Sequence, residues 1–244
     1  MSNKLVYVII PCFNESANIR QTVEKLLAVR SDCIAVVVDD GSMDNSVAEI
    51  RAIPDKRVVL LELPFNCGIG TAVETGLIYA ARKNADYAVK FDGDGQHLAE
   101  EIDLLMEVLE KDEADMALGS RFISDIDGFK STYFRRVGIS FFRMLSGLLT
   151  GQAIADSTSG FRAYNRSALK FVSKNYPAFD YPEPEENILL LRNKFRIKEV
   201  PCRMNIREGG RSSIRSLKAC YYMIKVALSM IMAALRPPIE KKGK

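Results

Sequence analysis

The chain has 244 residues, 48% of them hydrophobic and 27% charged, with a formal net charge of +3. This is an ordinary globular chain, enough for one large domain or two small ones, with no Pro- or Gly-rich linker and no repeat. Five scattered cysteines, never in a Cys-x-x-Cys pair, point to a reducing compartment, while a single histidine, His97, disfavours a His-based metal centre or a Ser-His-Asp triad.

In chain order, Met1–Lys4 lead straight into a strand, so no cleavable leader is expected. Leu5–Ile10 is a continuous apolar run and is predicted as a strand buried on both faces. Pro11-Cys12-Phe13-Asn14-Glu15-Ser16 breaks it, and Ile19, Val23, Leu26 and Leu27 then repeat at helical spacing. Cys33–Val38 is a second strand, closed by Asp39-Asp40-Gly41-Ser42. Ser42 or Asp44 can cap the next helix, through Val47 and Ile50. Val58–Leu63 is a third strand, and Asn66-Cys67-Gly68-Ile69-Gly70-Thr71 turns into a helix over Ala72–Arg82. Tyr87–Phe91 is a fourth strand; Leu98 opens a helix with Ile102, Leu105, Met106 and Leu109 on one face; Ala114–Gly119 is a fifth strand. Repeated βα units with short loops predict an α/β fold, a mostly parallel doubly wound sheet with helices on both faces.

The chemistry collects at the strand ends. Asp92-Gly93-Asp94-Gly95-Gln96 places two carboxylates one residue apart where the fourth strand stops, at the ligand-binding edge of such a sheet. The glycines remove bulk, so both acids can approach a small, highly charged object. Hard oxygen ligands of this kind suit Mg²⁺ or Mn²⁺ shared with substrate phosphates. An acidic turn is the plain alternative. Glu15, Asp39 and Asp40 also lie just past strand ends. Acids accept hydrogen bonds from a base and ribose but repel phosphates unless a cation intervenes, so the pattern asks for a metal-bridged nucleotide. No Gly-x-x-x-x-Gly-Lys-Ser/Thr occurs, and Gly68-Ile69-Gly70 is too short for the dinucleotide fingerprint.

Charge is unevenly distributed: 14 of the 34 Lys/Arg but only three of the 31 Asp/Glu lie from Leu190 onward. An anionic partner, nucleic acid or a membrane surface, suits that segment. Leu217, Tyr221, Ile224, Leu228, Ile231 and Leu235 form a helical stripe whose opposite side is also largely apolar, with Lys225 inside. This apolar helix falls short of the ~20 residues a comfortable span needs. Phe134–Leu149, with Arg135, Arg136 and Arg143 among Phe141, Phe142, Met144, Leu145 and Leu148, is a second candidate interfacial helix. Packing within the fold or against a second subunit is the alternative for both.

Taken together, Val8–Glu15, Val36–Ser42, Asn66–Ala72 and Asp92-Gly93-Asp94 resemble the family 2 glycosyltransferases with the GT-A fold. The resemblance continues through Gly119-Ser120-Arg121-Phe122 and Asp156-Ser157-Thr158-Ser159-Gly160-Phe161-Arg162, then Glu185, Glu199-Val200-Pro201 and Arg207–Ser213. This later set is similar to the dolichyl- and polyprenyl-phosphate sugar synthase branch. The resemblance implies a catalytic domain over 1–214 followed by an apolar, basic helix and tail over 215–244. It implies Pro11, Phe13 and Glu15 in a nucleoside pocket, with Asp39 or Asp40 on the base or ribose. Asp92 and Asp94, with Gly93 and Gln96 close by, would hold Mg²⁺ or Mn²⁺ against the diphosphate of a nucleotide sugar. Arg121, Arg135, Arg207 and Arg211 would surround the diphosphate and an acceptor phosphate. In that branch a Lys or Arg often follows the serine of the last motif; Ser213 stands there, and Arg211 is its substitute.

The implied activity is inverting sugar transfer to a lipid-linked acceptor, by a peripheral protein on the cytoplasmic face of a membrane, with a homo-oligomer left open. A phosphate acceptor needs positioning cations; a sugar hydroxyl needs a base, for which Asp156 or Glu185 are the candidates. A basic nucleic-acid-binding protein would leave the strand-end acids without purpose. A nucleotidyltransferase also pairs acids with a nucleotide, but would release pyrophosphate.

Overall fold

A computed structural model of the chain describes residues 4–123, 133–177, 182–204 and 216–239. Among them, seven strands form one sheet: β1 (Val6–Cys12), β2 (Cys33–Asp39), β3 (Val58–Glu62), β4 (Tyr87–Lys90), β5 (Met116–Ser120), β6 (Arg162–Asn165) and β7 (Ile197–Pro201). Their order is β3-β2-β1-β4-β6-β5-β7, parallel except for β6, which runs antiparallel to both its neighbours. The expected mostly parallel sheet is present, with two strands, β6 and β7, that the sequence reading did not find.

The apolar runs become strands buried on both sides because successive side chains point to opposite faces. Along β1, Val6, Val8, Ile10 and Cys12 enter one core, with Ile19, Val23 and Leu26 of α1 (Ile19–Val29) and Ile102 and Leu105 of α4 (Ile102–Glu110). Tyr7 and Ile9 enter the other, with Val73 and Leu77 of α3 (Ile69–Arg82) and Leu169 and Val172 of α6 (Arg166–Asn175). The short helix α2 (Ser46–Arg51) adds Ile50 to the first layer.

Several boundaries shift by a residue or more from expectation, and two of the shifts have a tertiary reason. β1 continues through Pro11, which lies opposite Val38, to Cys12 instead of breaking at the proline. The Ile9 carbonyl faces β4, accepting from the Phe91 amide, and Pro11 faces the same way two residues on, where β4 has already ended. A missing N–H there removes no ladder bond. α3 begins at Ile69, inside the predicted turn, because a carboxylate from another loop caps its start.

A third apolar cluster joins α5 (Tyr133–Thr150), α7 (Glu183–Arg192) and α8 (Ser216–Leu235) through Phe142, Ile188, Val226, Met230 and Ala233. One side of the C-terminal helix therefore packs on the rest of the fold. Its other side leaves Tyr221, Ile224, Leu228 and Leu235 exposed. No described helix is long and apolar enough to cross a membrane.

Candidate active site

The loops that follow β1, β2, β4 and β5 open on one edge of the sheet. Because β6 is antiparallel, with Arg162 opposite Lys90 at the end of β4, the loop that enters it reaches the same edge. This brings Asp156–Gly160 beside residues far away in sequence.

The β1 and β2 loops are laced together. Asn14, at a left-handed φ of 54°, donates its amide to Ser42 Oγ (2.9 Å) and accepts the Met43 amide on Oδ1 (2.9 Å). The Glu15 amide donates to Ser46 Oγ, and Asp44 accepts the amides of Ser16 and Ser46; neither Ser42 nor Asp44 is the helix cap, a position taken by Asn45 without a side-chain cap bond. Asn14, Ser42 and Ser46 were not singled out from sequence as site-shaping residues, although short polar side chains in strand-end loops carry that signal. Phe13 is partly exposed at the rim, and Pro11 lies beneath it in β1.

The two adjacent aspartates have different roles. Asp40 accepts the amides of Cys67 (2.7 Å) and Gly68 (2.9 Å), so it is committed to holding the start of α3. Asp39 accepts the Ser42 amide on Oδ2 (3.0 Å), but its buried Oδ1 has no partner among the described residues. An unsatisfied buried carboxylate oxygen is costly and marks a place for an external donor. Of the two, Asp39 therefore keeps a buried oxygen without a partner among the described residues, whereas both oxygens of Asp40 are occupied.

Past β4, a Cβ on Gly93 would stand 3.0 Å from the Pro11 carbonyl, so glycine permits the tight turn that brings Asp92 and Asp94 to the edge. Asp94 accepts the Gln96 amide on Oδ1 (3.1 Å), with the Gln96 side chain on Oδ2. Asp92 is one-third exposed, and its neighbour at ion-pair range among the described residues is His97, Nε2 to Oδ2 at 3.3 Å. Burial lowers the His97 pKa and outweighs the opposing pull of Asp92 and Asp94, so the ring is neutral. A Cβ on Gly160 would meet Asp92 Oδ1 at 3.4 Å, so the β6 entry loop closes on this carboxylate.

On the far side, Arg121 grips Asp156 in a bidentate pair, Nε to Oδ2 at 2.8 Å and Nη2 to Oδ1 at 2.9 Å. Burial disfavours the guanidinium charge, but this pairing outweighs it and raises the Arg121 pKa. Asp156 is itself fixed by Glu199, whose carboxylate accepts the amides of Ala155 (2.8 Å) and Asp156 (2.9 Å).

Beneath the loop lies a charged network that sequence reasoning largely missed. Arg162 is fully buried and donates to the carbonyls of Ser157, Ser159 and Glu183, to Glu186 Oε2 and to Asn187 Oδ1. Glu186 also accepts from Tyr164 (2.6 Å), while Lys90 reaches Glu183 (3.1 Å) and the Tyr176 hydroxyl (3.0 Å). The acid cluster at the start of α7 is thus divided. Glu186 is a buried partner of Arg162 and Glu183 a partly buried partner of Lys90, whereas Glu185 faces Arg236 after α8 at 3.8 Å. Burial raises the Glu185 pKa, with Arg236 opposing. Arg135 falls in α5 with its side chain outside the described residues, and Arg207 and Arg211 also lie outside them.

The edge therefore joins an acceptor oxygen left open by its surroundings, two aspartates at a glycine-lined turn, and a paired arginine facing them. Comparisons with known proteins identify the family and the fold. The family model for Glycosyl transferase family 2 matches residues 7–172. A UDP-N-acetylglucosamine–dolichyl-phosphate N-acetylglucosaminyltransferase from Methanococcus voltae is 32% identical, covering 82% of this chain and 86% of that protein. A polyprenol monophosphomannose synthase from Mycolicibacterium smegmatis is 30% identical, covering 90% and 84%. Among solved structures, glucosyl-3-phosphoglycerate synthase from Mycobacterium tuberculosis, in complex with Mn²⁺, UDP and glucosyl-3-phosphoglycerate, matches with a TM-score of 0.64 at 17% identity, over 100% of this chain and 84% of that one.

Proposed function

The chain belongs to glycosyl transferase family 2, and we propose that it is an inverting enzyme moving a sugar from a nucleoside diphosphate to a polyprenyl phosphate. The observation that carries the acceptor assignment is the Arg121–Asp156 pair. Asp156, a candidate base for a hydroxyl acceptor, is buried and bound bidentately to a guanidinium. In that state it is poorly placed to take a proton. A phosphate monoester needs no base, because it is already anionic near neutral pH. It needs cations, and Arg121 with Arg135, Arg207 and Arg211 is the set proposed to orient it and the diphosphate. The names of the Methanococcus and Mycolicibacterium relatives support the same acceptor class.

On the donor side, Asp39 Oδ1 would accept an N–H of the base, as uracil N3 could donate, with Pro11, Phe13 and Glu15 forming the pocket around it. Asp92 and Asp94 fit a Mg²⁺ or Mn²⁺ ion: two hard oxygen donors at a turn cleared by Gly93 and bordered by Gly160. When bound, that ion supplies neutralisation of the charge that grows on the departing diphosphate. Asp94, Gln96 and the Asp156–Gly160 loop would hold donor and acceptor in line, so that attack inverts the anomeric carbon.

The exposed stripe of α8, with Met144 and Leu148 exposed on α5, supports attachment to the membrane that holds such an acceptor, at its cytoplasmic face. A second reading, a sugar hydroxyl acceptor, would use Glu185, whose burial raises its pKa towards that of a base working near neutrality.

The test is transfer from radiolabelled UDP-sugars, with Mn²⁺, to polyprenyl phosphate in detergent or to free oligosaccharides. Labelled lipid with release of nucleoside diphosphate supports the proposal. Transfer to soluble sugar that is lost in Glu185→Gln supports the second reading, and release of pyrophosphate would reject both.

A further inference from the structure

β7 is the last strand of the sheet, beside β5, and its side chains alternate between the two layers: Ile197 enters one core and Val200 the other. Glu199 lies on the Ile197 side, opposite Leu118 of the same apolar cluster. A carboxylate there is costly unless its oxygens are satisfied. Both go to backbone: Oε2 accepts the Ala155 amide at 2.8 Å and Oε1 the Asp156 amide at 2.9 Å. Gln152 clips the same segment to the strand, its Nε2 donating to the Ile197 carbonyl at 2.8 Å. The turn held in this way carries Asp156, whose side chain is fully buried. Asp156 in turn holds the residue that follows β5. Its Oδ2 accepts the Arg121 amide (3.2 Å) and Nε (2.8 Å), and its Oδ1 accepts Nη2 (2.9 Å). Nη1 takes no part in that pair.

We infer that Glu199 is a positioning residue: by fixing the backbone of Ala155 and Asp156 it sets the direction in which Arg121 offers Nη1 to a phosphate of donor or acceptor. The inference rests on the reading of Arg121 as a phosphate-orienting cation. A free arginine side chain must be ordered when the ligand arrives, whereas one anchored along an edge is ordered already. The anchor holds only if Asp156 is itself fixed, because a carboxylate on a loose turn would carry the guanidinium with it. An apolar residue at 199 would suit the packing but leave two amides of the turn without their acceptor. A glutamate present only to stabilise the turn would lower the melting temperature when replaced, yet its effect on ligand binding would not depend on Arg121.

A double-mutant cycle between Glu199 and Arg121 makes the test. Glu199→Gln keeps the shape of the side chain but turns an N–H donor towards one of the two amides. Arg121→Lys keeps a cation for buried Asp156 but has no second nitrogen for a phosphate. Calorimetry on the full chain reads two phosphate probes separately, farnesyl phosphate and UDP with Mn²⁺, alongside the melting temperature. We expect Arg121→Lys to weaken at least one probe by about 10- to 150-fold, the worth of a hydrogen bond to a charged group. That probe identifies the phosphate that Arg121 serves. Glu199→Gln should weaken the same probe by about 5-fold or more, and should add almost nothing once Arg121 is lysine. Wild-type affinity in Glu199→Gln, or an equal loss with and without Arg121, overturns the inference. If either variant does not fold, hydrogen exchange of the wild-type chain decides. Slow exchange of the Ala155 and Asp156 amides supports the clamp, and exchange as fast as that of an exposed loop overturns it. Arg121→Lys that binds both probes like the wild type overturns the reading of Arg121, and this inference with it.

Discussion

Arg162→Met is the most informative single change in the core. The guanidinium is fully buried and spends its donors on five acceptors, among them the Glu186 carboxylate at 2.9 Å, itself fully buried. Methionine fills much of the volume but leaves Glu186 with the Tyr164 hydroxyl alone from the contacts described above. Stranding a buried charge by removing its partner costs roughly 3–5 kcal/mol. For a chain of this size each kcal/mol is about 2–4 °C, so melting should fall by about 6–20 °C. Arg162→Met combined with Glu186→Leu, which removes both charges, should recover much of the loss. Urea titrations of the wild type and both variants measure this. A single variant that melts within about 2 °C of wild type at pH 7 would refute the reasoning, because the penalty for stranding a buried charge could not then apply to this pair.

Asp39→Asn replaces an acceptor-only oxygen with a mixed group. Nucleotide affinity, measured by calorimetry, should fall about 10- to 150-fold, the worth of a hydrogen bond to a charged acceptor. Because Oδ1 satisfies nothing within the described fold, the melting temperature should hardly move. Asp94→Asn should cut metal-dependent transfer by orders of magnitude with circular dichroism unchanged, and near-normal turnover in saturating Mn²⁺ would dismiss its role. Leu228→Glu with Ile224→Glu alters only exposed positions of α8. Flotation with anionic liposomes should drop sharply while solution stability holds; unchanged flotation would return the stripe to another use.

Much of this protein can be read directly from its chain. Leu5–Ile10 and Cys33–Val38 announce buried strands because apolar runs of that length satisfy both faces of a sheet, and this needs no knowledge of neighbours. Asp92-Gly93-Asp94 announces its chemistry because the turn, the missing side-chain bulk and the paired carboxylates sit within a few residues. The folded structure decided whatever depends on adjacency between distant segments. β6 is short, contains a charged residue and has no apolar run to mark it, yet its reversal carries Asp156–Gly160 to the site edge. Asp39 and Asp40 are indistinguishable in sequence; the amides of Cys67 and Gly68 occupy one and leave the other with an open oxygen. Arg162 looks like a surface residue until Glu186, 24 positions away, is folded against it. The α8 helix looks apolar all round, and only its packing on α5 and α7 separates a core face from an exposed one. Periodicity and turn chemistry act over a few residues and are written locally, whereas the partner of a polar group is fixed by the path of the whole chain.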